Sequence, residues 1–196
     1  MADIADEGAH QLLRVSDPLF WSGDAASPVS ATDLIVGLCD ARFAVSLNKA
    51  WHSRLPNAQS GPWRFAFHAH FNGVTYAVAL WHNPSARGLP QDWLELRRLA
   101  IAPDAPKYTA TRMLSQMAKW IKANTECPRL ISYQDTEVHK GTIYKAANWE
   151  HRYTSKARQR DRTKGLQSRN GRMYRTDSNG CAPAASEKYR WEYTLR

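Results

Sequence analysis

Three side chains that lie close together in the sequence could transfer protons or bind a metal ion. Tyr133 and Asp135 come at the end of a stretch predicted to be a short strand, Arg129–Tyr133, and His139 follows. A carboxylate can accept a proton from an amine nucleophile or ligate a metal, and an imidazole can do either. Structural roles are the alternatives, because Asp135 is also suited to cap a turn and His139 to make surface hydrogen bonds.

Two further groups of polar residues lie on predicted strands. Glu95 and Arg97 share one face of a strand and can form an ion pair there, whereas alternation turns Arg98 towards the opposite layer. His68 and His70 also share a face, which is the geometry of a two-histidine metal site. Spacing fixes no third ligand for such a site.

The clearest local structure is a β-hairpin over Trp63–Trp81. Apolar residues alternate on both sides of Asn72-Gly73, a dipeptide suited to the positive φ angles of a two-residue type I′ turn. The turn predicts three cross-strand pairs, which are Phe71 with Val74, Phe67 with Val78 and Phe65 with Leu80.

The next strand changes its apolar face halfway along. Leu94 and Leu96 lie on one face, whereas Leu99 and Ile101 lie on the other. A β-bulge that adds one residue between the two pairs would return all four side chains to the core.

Periodicity predicts the remaining elements. Residues 1–30 lack it and are predicted to form a loosely ordered arm, followed by a single domain over 31–196. That domain is predicted to contain a helical segment in Asp33–Leu55 with a possible strand near Arg42–Val45, a helix from an N-cap at Thr109 to Asn124, the strand Arg129–Tyr133, a short helix over Gly141–Ala147 and a closing strand over Tyr189–Leu195.

The net charge of +9 is unevenly distributed. Residues 151–175 carry nine cations against one acid, whereas residues 1–30 carry five acids against one cation. Clustered cations interleaved with tyrosines are typical of contact with a nucleic-acid backbone, although a solvated surface loop has the same composition. The predicted nucleic-acid contacts are Arg152, Lys156, Arg158, Arg160, Arg162 and Lys164.

Composition argues against membrane insertion and secretion. No apolar run approaches the roughly 18 residues of a membrane span, and the acidic start of the chain lacks the features of a secretory signal. Cys39, Cys127 and Cys181 are widely spaced and odd in number, which favours reduced thiols. We therefore expect a cytoplasmic protein that does not bind a membrane.

Several short motifs in 94–149 carry a family resemblance. The first part contains Glu-Leu-Arg-Arg-Leu and then Ala-Pro-Lys; the second contains Ser-Tyr-Gln-Asp and then His-Lys-Gly-Thr-Ile-Tyr-Lys-Ala-Ala-Asn-Trp. In order and content they resemble the Mom family of phage DNA-modification proteins, within the GNAT acyltransferase-like superfamily. Gln134 and Val138 stand where that family usually has Ala and Gly.

The resemblance implies a fold and a function. The fold is α/β (α+β), with a central mixed, mostly antiparallel sheet flanked by helices. The function is modification of the exocyclic amine of adenine in phage DNA, which protects that DNA from host restriction. Double-stranded DNA is then the expected partner, and a homodimer is left open.

The resemblance also gives roles to residues. It favours Tyr133, Asp135 and His139 as catalytic. It also places Tyr144 where GNAT enzymes often have a tyrosine that protonates a leaving thiolate, with a place in the core as the alternative for Tyr144. Contact with the substrate is implied for Trp51 and His52, with packing as the alternative. From their place on the bulged strand we also expect Glu95, Arg97 and Arg98 to contact the substrate, with a purely structural ion pair as the alternative for Glu95 and Arg97.

The expected donor site differs from that of an ordinary GNAT enzyme. Such enzymes have a glycine-rich loop whose N–H groups bind a pyrophosphate at a helix N-terminus. The corresponding residues lack glycine and are Lys107, Tyr108, Thr109, Ala110 and Thr111. An acyl-CoA, a related acyl donor and a metal ion therefore all stay open as cofactors.

Two other functions stay open beside DNA modification. One is acetyl-CoA-dependent N-acetylation of a small amine, a protein or tRNA. The other is non-catalytic nucleic-acid binding on a GNAT scaffold.

Overall fold

The computed structural model describes residues 27–52, 56, 58, 61–86, 88–156 and 186–196. Of the predicted N-terminal arm, only residues 27–30 fall in this range, and they lead into a 3-10 helix, Ala31–Asp33, capped by Ser30. The strands and α-helices that follow are β1 Ile35–Leu38, α1 Ala41–Trp51, β2 Phe65–Phe71, β3 Val74–His82, β4 Leu94–Ile101, α2 Thr109–Asn124, β5 Arg129–Asp135, α3 Thr142–Ala146, β6 Glu150–Ser155 and β7 Lys188–Thr194.

The strands form one mixed sheet in the order β1-β2-β3-β4-β5-β7-β6. All neighbours are antiparallel except β4 and β5, which are parallel. These two strands are joined by α2, because a parallel connection has to cross over a face of the sheet. The mixed, mostly antiparallel sheet flanked by helices confirms the predicted fold class.

The β-bulge predicted in β4 is present. Ala79 pairs with Leu99 and Leu80 with Arg98, but Trp81 pairs with Leu96, so Arg97 is the extra residue. Leu94 and Leu96 belong to the core under α2, and Leu99 and Ile101 pack against the same core. All four apolar side chains therefore face α2.

The hairpin has the predicted turn but not the predicted register. Asn72 and Gly73 have φ angles of 47° and 81°, as a type I′ turn requires, and Phe71 pairs with Val74. The register then shifts by one residue, so that Phe67 pairs with Ala79 and Phe65 with Trp81. The predicted partners of Phe67 and Phe65 are therefore wrong, because a β-bulge shifts the register and an alternating sequence does not reveal it.

Near the N-terminus, the order of strand and helix differs from the prediction. The Asp40 carboxylate accepts hydrogen bonds from the N–H groups of Arg42 (2.8 Å) and Phe43 (3.0 Å), which fixes the start of α1. Residues 42–45 are therefore helical and not a strand, and the strand of this region is β1 upstream. At α2, Tyr108 is the N-cap, whereas Thr109 is the first helical residue and its hydroxyl donates to the Pro106 carbonyl (2.7 Å).

Two apolar layers cover the sheet. One face packs against α2, whose residues Met113, Leu114, Met117 and Ile121 are fully buried, as their spacing predicts. The other face packs against α1 through residues such as Leu47, which meet Val78 and Leu80 of β3 and Ala100 of β4. We call these the α2 face and the α1 face.

Two further findings concern the helices and the cysteines. No helix in the described part of the chain is long and apolar enough to cross a membrane. Cys39 and Cys127 are free thiols, and burial raises the pKa of both, that of Cys39 to about 12. Both thiols are therefore protonated at neutral pH, and the thiolate is the reactive form.

The start of α3 depends on a glycine. Gly141 has a φ of +70° and lies against the side chains of Gln134 and Trp191. A Cβ atom at this position would meet the Gln134 amide and come within 2.6 Å of the Trp191 ring. Both the backbone conformation and the lack of space therefore require glycine.

We predict that Gly141→Ala destabilises the protein more than Gly73→Ala does. Gly73 also has a positive φ (+81°) but nothing lies within 4 Å of its Cβ position, so its substitution adds backbone strain alone. The expected losses of unfolding free energy are about 1 kcal/mol for Gly73→Ala and about 2–4 kcal/mol for Gly141→Ala. Urea denaturation measures both, and equal losses would contradict the packing described for Gly141.

Candidate active site

A cleft opens in the sheet where β4 and β5 separate. The strands pair from Leu94 with Leu130 to Leu96 with Ser132, and no further pair joins these two described strands. The following residues of β4 and β5 form the walls of the gap. Because side chains alternate along each strand, the cleft can be reached from the α1 face and from the α2 face.

On the α1 face, a buried carboxylate holds an arginine at the mouth of the cleft. Glu95 is 2% exposed and accepts hydrogen bonds from Arg97 Nη1 (2.9 Å) and from the N–H of Ser85 (2.8 Å). Arg97 Nη1 also donates to Ser85 Oγ (2.8 Å). The predicted ion pair of Glu95 and Arg97 is confirmed, and it also anchors the connection between β3 and β4.

Arg98 lies on this same face and not in the opposite layer. Because Arg97 is the bulged residue, alternation restarts after it, and Arg98 pairs with Leu80, whose side chain belongs to the α1-face core. Arg98 Nη1 donates to the Arg97 carbonyl (2.7 Å), whereas its buried Nε has no partner in the described structure. The prediction for the orientation of Arg98 was therefore wrong, because the bulge turns both arginines to one side.

His52 brings the end of α1 to the cleft. It is the C-cap residue of α1, and its N–H donates to the Asn48 carbonyl (2.9 Å). Burial, and then the positive charges of Arg98 and His139, lower the pKa of the His52 imidazole. His52 is therefore neutral at pH 7 and can accept a proton. Trp51, beside it, packs against the α1-face core.

Tyr133 forms the β5 wall of the cleft on the α1 face. Burial and the nearby carboxylate of Glu95 raise the pKa of its phenol, and a hydrogen bond with Arg190 of β7 partly offsets them. The phenol therefore stays protonated at neutral pH. Arg190 is itself held by Glu192, a buried residue whose Oε1 lies 2.8 Å from Arg190 Nη2 and whose Oε2 lies 2.7 Å from Arg129 Nη1.

Asp135 begins the turn that carries His139. Its Oδ1 accepts the N–H of Glu137 (3.1 Å), and its backbone carbonyl accepts the N–H groups of Val138 (3.3 Å) and His139 (3.1 Å). Asp135 thus takes the turn-capping position that its sequence also allowed. His139 is exposed at the end of this turn.

Gln134 fixes the other side of this turn from within the core. Its amide nitrogen donates to the His139 carbonyl, and its amide oxygen accepts the indole N–H of Trp191 (2.7 Å). The departure from the usual Ala at this position is therefore structural. A buried amide links β5, β7 and the His139 turn.

Tyr144 reaches the point where the strands separate. Its ring is buried and stacks on Trp191 at a centroid distance of 5.3 Å, and its hydroxyl lies 2.9 Å from Ser132 Oγ. Ser132 Oγ also donates to the Leu96 carbonyl (3.4 Å), at the last paired position of β4 and β5. Burial raises the pKa of the Tyr144 phenol, so it carries its proton at neutral pH.

On the α2 face, a groove lies between the start of α2 and α3. It encloses about 280 Å³ and is lined by Ile101, Pro106, Tyr108, Thr109, Ala110, Thr111, Thr142, Ile143 and Ala146. Four of the five predicted cofactor-binding residues are in this lining, and Lys107, which is exposed, is not. Small side chains let a ligand approach the α2 backbone, whose first N–H groups have no intrahelical acceptor.

The predicted nucleic-acid contacts are only partly within the described residues. Arg152 is exposed on β6 and forms an ion pair with Glu150, and Lys156 is exposed directly after β6. The others, Arg158, Arg160, Arg162 and Lys164, lie outside the described residues.

Within the described residues, the histidine pair on β2 gains no third ligand. His68 and His70 stack on each other at 4.6 Å, and His68 Nδ1 lies 3.2 Å from Thr75 Oγ1. Among the residues that the structure describes, no three His, Cys, Asp or Glu side chains are grouped so as to hold a metal ion.

Sequence reasoning missed Ser132, Gln134, Arg190 and Glu192. A signal existed for the last two, because Arg190 and Glu192 are charged residues two apart on a strand predicted to close the sheet, and they therefore share a face. Ser132 belongs to the Ser-Tyr-Gln-Asp motif, but its contact with the Tyr144 hydroxyl depends on the fold and could not be predicted from spacing.

The structure is similar to acetyltransferases of the GNAT family. The ribosomal-protein-S18-alanine N-acetyltransferase of Escherichia coli matches with a TM-score of 0.51 and 12% identity, over 83% of this chain and 94% of that chain. A GNAT-family acetyltransferase of Streptococcus pneumoniae matches with a TM-score of 0.54 and 11% identity, over 83% of this chain and 99% of that chain. A Bacillus subtilis acetyltransferase in complex with CoA matches with a TM-score of 0.53 and 10% identity, over 83% of this chain and 99% of that chain. These identities are low, so the likeness establishes the fold alone.

Sequence comparison identifies the family. A search of curated protein sequences gave no match. The profile of the Mom protein family, however, matches residues 33–192, which include β1 to β6, all three helices and most of β7. Family and fold together support a transferase activity. The chain therefore belongs to the Mom protein family and has the fold of the GNAT acetyltransferases.

Proposed function

We propose that the protein is a transferase that modifies the exocyclic amine of adenine in DNA, and that it protects phage DNA from restriction in this way. The observation that carries the proposal is the set of cations around the α1 face of the cleft, in a member of the Mom family. The cations are Arg97 and Arg98 of β4 and Arg190 of β7, and His139 lies on the turn after β5. A polyanion is the substrate class that such a surface favours.

The acceptor base is proposed to enter from the α1 face. An adenine inside a duplex cannot reach a cleft in a sheet, so it has to leave the stack. Tyr133 and His52 then flank it, with Arg97 and Arg98 available for the flanking phosphates. Further contacts with the DNA phosphates are proposed for the predicted nucleic-acid-binding residues, which are Arg152, Lys156, Arg158, Arg160, Arg162 and Lys164.

The group donor is proposed to enter from the α2 face, through the groove between α2 and α3. A groove of about 280 Å³ fits the narrow arm of an acyl-CoA and not the whole molecule. Thr109, Ala110 and Thr111 would lie beside the phosphates, and Ile143 and Ala146 beside the arm. Such a donor supplies an activated acyl group, and one of the similar acetyltransferases was solved with CoA bound.

The protein's own residues then move the protons. As the new bond forms to the adenine nitrogen, that nitrogen loses a proton, and neutral His52 accepts it. Tyr144, protonated at the meeting point of the two faces, donates a proton to the leaving group. Asp135 serves as a positioning residue, because it shapes the turn that carries His139.

N-acetylation of a small amine, a protein or tRNA is the second candidate. The groove on the α2 face and the fold of the similar acetyltransferases favour it. Acetylation of such a substrate, with CoA binding but no change in DNA, would establish this second function in place of the first.

We predict that Arg98→Gln raises the pKa of His52. The Arg98 charge lowers that pKa, so removal of the charge returns it part of the way to about 6.5, while burial still keeps it lower. The fraction of protonated His52 at pH 6 therefore rises. NMR titration of the imidazole measures this, with Arg97→Gln as a control that leaves it unchanged. An unchanged pKa of His52 in Arg98→Gln would contradict the electrostatic interaction between Arg98 and His52.

We predict an altered mass of adenosine in DNA from cells that express the protein, and two different outcomes at Asp135. Asp135→Ala removes the acceptor for the Glu137 N–H and lowers modification at least tenfold. Asp135→Asn keeps an acceptor oxygen and retains modification within about threefold of the wild type, because the turn is preserved. Mass spectrometry of hydrolysed nucleosides measures all three proteins.

Two results would contradict these expectations. Unaltered nucleosides with folded protein and a supplied donor would exclude DNA modification and leave the acetyltransferase or a non-catalytic nucleic-acid-binding protein. Equal loss in Asp135→Asn and Asp135→Ala would instead make the carboxylate itself the catalytic base. Circular dichroism of each variant establishes that the fold is intact.

A further inference from the structure

Four side chains form a row across the sheet on the α1 face. Tyr153 of β6 pairs with Arg190 of β7, and Arg190 pairs with Tyr133 of β5. Residues paired across neighbouring strands point to the same face. Arg97 of β4 continues the row, since its charge acts on the Tyr133 phenol across the cleft. We call Tyr153, Arg190, Tyr133 and Arg97 the cross-strand row.

The two arginines of the row are fixed before any ligand binds. Arg190 donates to Glu192 through Nε (2.9 Å) and Nη2 (2.8 Å), and Arg97 donates to Glu95 (2.9 Å). Both carboxylates are almost completely buried. A guanidinium held in this way loses little conformational freedom when it meets an anion or a ring.

Tyr153 is an exposed aromatic residue whose ring packs on a cation. The residue is 52% exposed, and the Arg190 guanidinium lies 5.2 Å from its ring centroid. The ring is thus supported from the protein side and open to solvent. An exposed ring fixed on a cation, near the exposed Lys156 and Lys188, is typical of a stacking site for a nucleobase.

The position of Tyr153 relative to the cleft indicates which base it meets. β6 is two strands from β5, so Tyr153 lies about 10 Å from the cleft wall. Neighbouring stacked bases of one DNA strand are only about 3.4 Å apart. Two adjacent bases, one in the cleft and the other on Tyr153, therefore cannot stay stacked on each other.

We propose that Tyr153, supported by Arg190, stacks on an unpaired nucleobase next to the base that enters the cleft. This proposal rests on the proposed function in one respect, which is that the base entering the cleft is the adenine to be modified. Extrusion of a base disrupts stacking of its neighbour, and the Tyr153 ring replaces part of the lost contact. Arg97 and Lys156 are placed for the phosphates on either side. Tyr153 is thus a determinant of affinity for single-stranded or locally opened DNA.

The test measures binding of the full chain, without donor, to a fluorescein-labelled single-stranded oligonucleotide by anisotropy at several salt concentrations. Tyr153→Ala is expected to weaken binding about 5- to 100-fold. The dependence of log Kd on log salt stays unchanged, because no cation is removed. Tyr153→Trp retains binding. His151→Ala is the matched control, because His151 is an exposed ring on the same strand that stacks on Tyr189 at the opposite face.

Two outcomes would overturn the stacking site. One is unchanged binding in Tyr153→Ala, and the other is equal weakening in Tyr153→Ala and His151→Ala. Its failure is distinguishable from failure of the proposed function. Altered adenosine in DNA with normal binding by Tyr153→Ala removes only the stacking site. Unaltered nucleosides with selective loss of binding in Tyr153→Ala remove only the proposed reaction.

Discussion

A single extra residue in β4 determines how the two faces of the sheet are used. Without the bulge at Arg97, strict alternation would leave either Leu94 and Leu96 or Leu99 and Ile101 outside the core under α2. With it, the three leucines and the isoleucine of β4 all pack under α2, and both Arg97 and Arg98 are left on the α1 face. β4 is thus a core strand on one side and a cationic wall on the other.

The arginines around the cleft are stabilised by ion pairs with buried carboxylates. A buried carboxylate costs several kcal/mol unless it is paired and hydrogen-bonded. Glu95 meets that requirement with Arg97 and Ser85, and Glu192 with Arg129 and Arg190. Each glutamate fixes an arginine at the surface of the sheet, so the positive groups around the cleft are preorganised.

Patterns that depend on local spacing could be predicted from the sequence, and those that depend on distant contacts could not. The type I′ turn, the bulge in β4 and the buried stripe of α2 follow from residues close together in the chain. The hairpin register was wrong because the bulge in β3 leaves no mark in an alternating sequence. The contact of Tyr144 with Ser132, and the cross-strand row through Arg190, appear only once β7 pairs with β5. The resemblance to the Mom family, by contrast, rested on short motifs, and the family profile confirmed it.

In the proposed reaction, donor and acceptor approach the cleft from opposite faces of the sheet and meet beside Tyr144. The most direct measurement is a crystal structure of the protein with CoA and an adenine-containing single-stranded oligonucleotide. We expect CoA in the groove between α2 and α3 with its sulfur towards Tyr144, and an unstacked adenine on the α1 face between Tyr133 and His52. CoA and adenine on the same face of the sheet, or CoA bound away from the groove, would contradict this arrangement.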